Sequence, residues 1–168
     1  MTQTADALVR SLQSFVENIP FAKGLNLKVN SARAGFVEVR LEPSPHLFNH
    51  FGTYQAGVYF TLGEITGGLL CGTFLDLSKN LLITQNSAIE FGQAADGILT
   101  ATAEAALLDI EKLLAHLKAK KKASTSIDVA IKSLNGKAVA HCRNEYYLRL
   151  GIPRSFSLAQ NPASSKGI

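Results

Sequence analysis

One stretch constrains this chain more than any other. From His46 to Gly72 it reads HLFNHFGTYQAGVYFTLGEITGGLLCG. A polar, loop-like opening with Asn49, His50, Gly52 and Gln55 leads into a segment that is apolar on every side. That segment carries a single acid, Glu64, and the glycines Gly57, Gly63, Gly67, Gly68 and Gly72. Each glycine inside a helix costs about 1 kcal/mol relative to alanine. A helix here must therefore be enforced by tertiary packing, with the glycines admitting other parts of the chain to close approach. A lone carboxylate in apolar surroundings is costly unless it is paired or has chemistry to perform. The remaining segments read as scaffolding for this helix.

Periodicity supplies that scaffolding. Leu8, Leu12, Phe15 and Ile19 recur every three to four residues, so residues 4–18 are expected to form an amphipathic helix, with Thr4 as N-cap and Pro20 beyond its end. Leu25, Leu27 and Val29 then alternate with polar residues, Gly35 turns the chain, and Val37, Val39 and Leu41 alternate again. This predicts a hairpin whose strands each have one wet face. Residues 81–91 and 98–107 are strand-like, and Asp109 is placed to cap a helix with the stripe Ile110, Leu113, Leu114 and Leu117. Ile127, Val129 and Ile131 alternate before Asn135-Gly136, a strong hairpin turn, and Val139–Leu150 forms the returning strand. The pattern predicts α+β architecture, an antiparallel sheet wrapped around the central glycine-rich helix. Residues 1–150 are expected to form one domain with an N-terminal helix. Residues 151–168 keep no apolar period and are expected to be a poorly ordered tail.

Composition narrows the function classes. The 168 residues are 46% apolar and 18% charged, as in a globular domain. The net charge of +4 is mild, and the basic residues are scattered apart from Lys118, Lys120, Lys121 and Lys122, so nucleic acid is not an expected partner. That lysine run fits the negative end of a helix dipole. Cys71 and Cys142 lack CxxC spacing and read as buried thiols of a reducing cytoplasm. No secretory signal is expected, since the N-terminus has no basic region followed by a continuous apolar core, and no membrane span, since Glu64 and the glycines interrupt the only long apolar stretch. His46, His50, His116 and His141 show no ligand spacing, and no metal or other cofactor is expected.

The element order, together with Asn49-x-x-Gly52-x-x-Gln55-Ala56-Gly57 and Glu64 nine residues after Gln55, resembles the hotdog-fold acyl-CoA thioesterases. The similar branch is the phenylacetate-pathway and 4-hydroxybenzoyl-CoA type, near its poorly characterised relatives. That family's pattern runs Asn, Gly, His-Gly-Gly and then an acid, so Gln55 stands at the His place and Ala56 at the first Gly. Ser87–Phe91 resembles the third strand, and Thr84 stands where relatives carry a small hydroxyl residue beside the acid. The resemblance spans about residues 20–150. It implies a homodimer or homotetramer, an acyl-CoA substrate and active sites shared between protomers.

The expected chemistry is thioester hydrolysis. It needs an activated water or nucleophile and donors aimed at the developing oxyanion. The Ala56 N–H, in the first turn of the helix, is the chosen donor, flanked by Gln55 and Gly57 as substrate-binding residues with Thr84. Glu64 is the expected general base or nucleophile, and Asn49 is expected to orient water or the acyl carbonyl. A base working near neutral pH calls for a raised pKa, which apolar surroundings favour. Glu64 lies about 12 Å along the helix from Ala56 at 1.5 Å per residue, so the two reach one substrate carbonyl only if the substrate lies along the helix or a neighbouring subunit completes the site; the resemblance implies the second.

Four alternatives accompany this expectation. Glu64 as a structural acid would pair with Arg143 or Arg149, and Asn49 with Gly52 could simply build a turn. At the level of function, a non-catalytic acyl-CoA or lipid-binding module is the main rival. Dehydration of a 3-hydroxyacyl thioester through His50 and Glu64 is the other.

Overall fold

The computed structural model describes residues 4–153. The expectation for the tail therefore falls, from residue 154 on, outside the described residues. Thr4, in extended conformation, accepts the Ala7 N–H at 3.4 Å and starts α1, Ala5–Glu17. Leu12 and Val16 are buried from its apolar stripe. The 3-10 turn Pro20–Leu25 follows. Leu25 belongs to this turn and not to the first strand, because Asn26 takes a left-handed backbone (φ 50°) that interrupts the extended run. β1 is thus Leu27–Arg33, and β2, Phe36–Leu41, returns across Gly35. Gly35 has φ 74°, and a Cβ there would sit 2.6 Å from the Ala105 carbonyl oxygen, so the turn excludes any side chain on both grounds.

A second short turn, Pro45–Leu47, leads to α2, Ala56–Gly72. β3 (Leu81–Phe91), β4 (Leu99–Glu104), α3 (Leu107–Lys120), β5 (Lys122–Ser133) and β6 (Ala138–Arg149) complete the order. β4 stops three residues short of the expected Leu107, and Ala106, not Asp109, is the N-cap of α3. Asp109 instead lies in the first turn, where its charge complements the helix dipole. Leu107 is 59% exposed, so apolar character alone misassigned it to the strand.

The strands form one antiparallel sheet in the order β1-β2-β4-β5-β6-β3. The alternating positions Val37, Val39, Leu41, Leu99, Ala101, Ala103, Val129 and Ile131 are buried, and α2 packs against β2, β4, β5 and β6. Burying each of the larger side chains contributes about 1.5–3 kcal/mol, which outweighs the poor helix propensity of α2. The helix forms because the sheet wraps it.

The two sheet edges are treated differently. On β1, the Gln13 side chain of α1 accepts the Val29 N–H at 2.8 Å and donates to the Leu27 carbonyl at 3.2 Å. β3, at the other edge, pairs only with β6 among the described residues. Beside it, α2 presents a stripe that its own sheet leaves open: Gly57 and Phe60 are exposed and Glu64 is half-buried. The helix is therefore wrapped on most sides rather than all. No helix among the described residues is long and apolar enough to cross a membrane.

Candidate active site

The inward side chains of β6 hold α2 in place, and three of its glycines make room for neighbouring side chains. A Cβ on Gly63 would overlap Cys142 Sγ, and one on Gly67 would overlap Tyr146 Oη. At Gly72 a Cβ would lie 2.6 Å from Leu12 Cδ2 of α1. With those positions bare, Asn144 Nδ2 donates to the Gly63 carbonyl at 3.2 Å and Tyr146 Oη donates to the Glu64 carbonyl at 2.5 Å. Ser87 of β3 donates in turn to Asn144 Oδ1. Asn144 and Tyr146 have no exposed surface, and burial first, then the Glu64 carboxylate, pushes the Tyr146 phenol up, so it stays a donor. Two successive carbonyls at the turn that carries Glu64 are thus clamped by buried donors.

Glu64 itself faces β3. Thr84 Oγ1 donates to its carboxylate at 2.5 Å. A register irregularity between Thr84 and Asn86 makes this possible: Gln85 is the extra residue, so Thr84 and Ser87, three apart, both reach the helix side. Among the described residues no cation lies within ion-pair distance of Glu64. Arg143 instead forks onto Asp128 across the β5–β6 pair at 3.0 Å, and that hydrogen bond holds the Asp128 carboxyl below its ordinary range. The half-buried Glu64 carboxylate lies in the wall of a pocket of about 400 Å³ whose other walls come from α1, α2 and β3.

The N-terminus of α2 is built by the loop before it. Asn49 Oδ1 accepts the Phe51 N–H at 2.9 Å and the Thr53 N–H at 3.3 Å, while its Nδ2 donates to Thr53 Oγ1 at 3.0 Å. Its amide is committed within the loop, as in an Asx-turn. Gln55 is the N-cap, in extended conformation (φ −64°, ψ 141°), and its side chain makes no capping bond. Val58 N–H returns to the Gln55 carbonyl, while the Ala56 and Gly57 N–H groups find no acceptor among the described residues. Both residues are exposed, so the positive end of the helix opens to solvent with two unspent donors.

The structure thus brings Glu64 and Thr84 together and groups Asn49, Gln55, Ala56 and Gly57 at a separate place two and a half turns away. The clamp formed by Ser87, Asn144 and Tyr146 was not anticipated. Its trace in the sequence is Asn144, a polar residue in the inward phase of a strand otherwise carrying Cys142, Tyr146 and Leu148. Burial pushes the Cys71 thiol up to about 12 and the Cys142 thiol up to about 11, so neither is a nucleophile near neutral pH. His50 sits in the loop with its ring 3.9 Å from that of Phe51.

A family model described as "Domain of unknown function (DUF4442)" matches residues 10–148. Among solved structures, PA5026 from Pseudomonas aeruginosa is described as a protein of unknown function and probable thioesterase. It is 26% identical with TM-score 0.75, the match covering 84% of this chain and 95% of that one. A protein of unknown function from Chlorobaculum tepidum is 15% identical, with TM-score 0.76 and coverage of 89% and 99%. A thioesterase family protein from Silicibacter pomeroyi is 14% identical, with TM-score 0.68 and coverage of 86% and 99%. No curated protein matches the chain.

Proposed function

The chain belongs to the DUF4442 family and has the hotdog fold of the thioesterase superfamily, and from that premise we propose that it hydrolyses an acyl-CoA thioester. The observation that carries the reading is Glu64: a half-buried carboxylate with no cation partner among the described residues, oriented by Thr84 in the wall of an apolar pocket. A buried or half-buried acid kept without a counter-ion is costly unless it works.

In this reading Glu64 takes a proton from water as the water oxygen bonds to the thioester carbonyl carbon. The Ala56 N–H, with Gly57 beside it, receives the negative charge that develops on the carbonyl oxygen. Collapse of the tetrahedral intermediate breaks the carbon–sulfur bond. The sulfur leaves with the electron pair and gains a proton, giving a carboxylic acid and the free CoA thiol. Attack by Glu64 itself, through a mixed anhydride, reaches the same products. Asn49 serves as a positioning residue that holds the loop, and the free Gln55 amide is available to the substrate.

Ala56 and Glu64 are about 12 Å apart along one helix, so each site takes its oxyanion donor from one protomer and its acid from another. Two features support a homodimer of this kind. The outer edge of β3 is unpaired among the described residues, and the stripe Gly57–Phe60–Glu64 beside it is uncovered. A second copy satisfies both.

The test is release of free thiol from acyl-CoA esters. Glu64→Gln is expected to lower kcat about 10²–10⁴-fold with the fold intact, and full turnover in that variant removes Glu64 from the mechanism. A second reading, a non-catalytic acyl-CoA-binding module, draws on Asn49, whose amide is spent within its own loop. It predicts saturable binding with no thiol released from any ester. Dehydration of a 3-hydroxyacyl thioester instead predicts an enoyl product that depends on His50.

A further inference from the structure

Gly68 is the glycine of α2 that packing leaves unexplained. Its neighbours Gly63, Gly67 and Gly72 have no space for a Cβ, and Gly57 lies in the exposed first turn. A Cβ on Gly68 would meet Leu82 Cδ2 at 3.5 Å and Tyr146 Cε1 at 3.9 Å, both ordinary contacts. Alanine would fit there and would favour the helix by about 1 kcal/mol. What distinguishes Gly68 is its place: one turn beyond Glu64 on the same face of α2, lining the same pocket of about 400 Å³.

The chemistry of that pocket is uniform. Phe15 of α1 and Ile19 just beyond its end face Ile65, Gly68 and Leu69 of α2, and β3 adds Leu81, Leu82 and Ile83. Its polar side chains are already engaged: Asn80 binds the Asp76 carbonyl and the Gly151 N–H, and Thr84 binds Glu64. Among the described residues no cationic side chain lines it, so a chain ending in a carboxylate or phosphate finds no counter-charge from them. At about 30 Å³ per water-sized group, the space holds roughly a dozen methylene-sized groups.

We propose that this pocket is the subsite for an unbranched aliphatic acyl chain of about eight to twelve carbons, with Gly68 setting its depth and α1 forming its outer wall. The assignment rests on the reading of Glu64 as the thioesterase acid, since it is the carboxylate beside the pocket that places the thioester carbon at its mouth.

The experiment uses S-alkyl-CoA thioethers of two to sixteen carbons, which bind but do not react, in calorimetric titration of the full chain. Affinity is expected to rise about three- to fourfold per methylene up to about ten carbons and then level off. Gly68→Val, which adds three carbons to the wall, is expected to move that break to about seven carbons, and Ile19→Phe, entering from the opposite wall without altering α2, is expected to shorten it too. Thiol release from the matching acyl-CoA esters is measured alongside. Affinity independent of chain length, or a break unmoved in folded samples of both variants, overturns the assignment. A chain-length series without thiol release leaves the subsite standing and removes hydrolysis; thiol release with a flat series does the reverse.

Discussion

Gly67 and Gly68 are adjacent in the chain and opposite in what they require. At Gly67 a Cβ would overlap Tyr146 Oη and lie 3.2 Å from Asn144 Nδ2, the two groups that donate to the helix backbone at Gly63 and Glu64. Both are fully buried, so neither can swing aside into solvent. Gly67→Ala is expected to destabilise the fold by about 1–3 kcal/mol. Gly68→Ala is expected to leave stability unchanged or raise it by up to about 1 kcal/mol. Chemical denaturation of the pair measures the contrast, and equal losses at both positions would show that the clamp does not govern the packing. Composition alone cannot separate these two residues. A run of glycines in an apolar helix announces close approach, but which member is approached depends on which strand lies opposite.

At the scale of the element, the N-terminus of α2 allows its proposed role to be tested apart from its structural one. Ala56 is the first helical residue, and Gln55 before it has φ −64° and ψ 141°, the extended backbone that a following proline demands. Proline is favoured at a first helical position because the N–H it removes has no helical partner. Ala56→Pro should therefore fold with unchanged thermal stability and yet lose the N–H proposed to receive the oxyanion. The expected loss is about 10²–10³-fold in kcat, read from thiol release beside a thermal melt. Undiminished kcat would move the donor away from Ala56. The position of this N-terminus was legible from Asn49 to Gly57, since a polar Gly-containing loop before an apolar run marks a helix start. The loop's internal bonds were not, because Asn49 could as well have reached outward as folded back on Thr53.

At the scale of the whole molecule, the separation of Ala56 from Glu64 leads to a complementation test. Glu64→Gln subunits keep the donor and Ala56→Pro subunits keep the acid. If sites lie between protomers, a mixed dimer contains one intact site and one doubly damaged site. Equal mixing and exchange of the two inactive variants is expected to restore about a quarter of native activity. Recovery that fails despite demonstrated subunit exchange would place donor and acid within one chain. The unequal edges of the sheet fit the same proposal: α1 closes the β1 edge through Gln13, whereas the outer edge of β3 is unpaired among the described residues.

The sequence by itself determined the kinds of elements, their order and the central place of the glycine-rich helix. Those features follow from local periodicity, from turns such as Asn135-Gly136, and from the scarcity of polar groups between Val58 and Leu70. It also singled out Glu64 as the acid that needed a reason. Only the tertiary structure decided the strand order, the face of α2 left open, and the partners of that acid. Local sequence left Arg143 and Arg149 open as alternatives to Thr84. The extra residue Gln85 turned Thr84 toward the helix, and strand pairing gave Arg143 to Asp128. The physical reason is that register and bulges are set by which strands pair across long stretches of chain. A one-residue shift then sends a side chain to the opposite face while leaving local propensity unchanged.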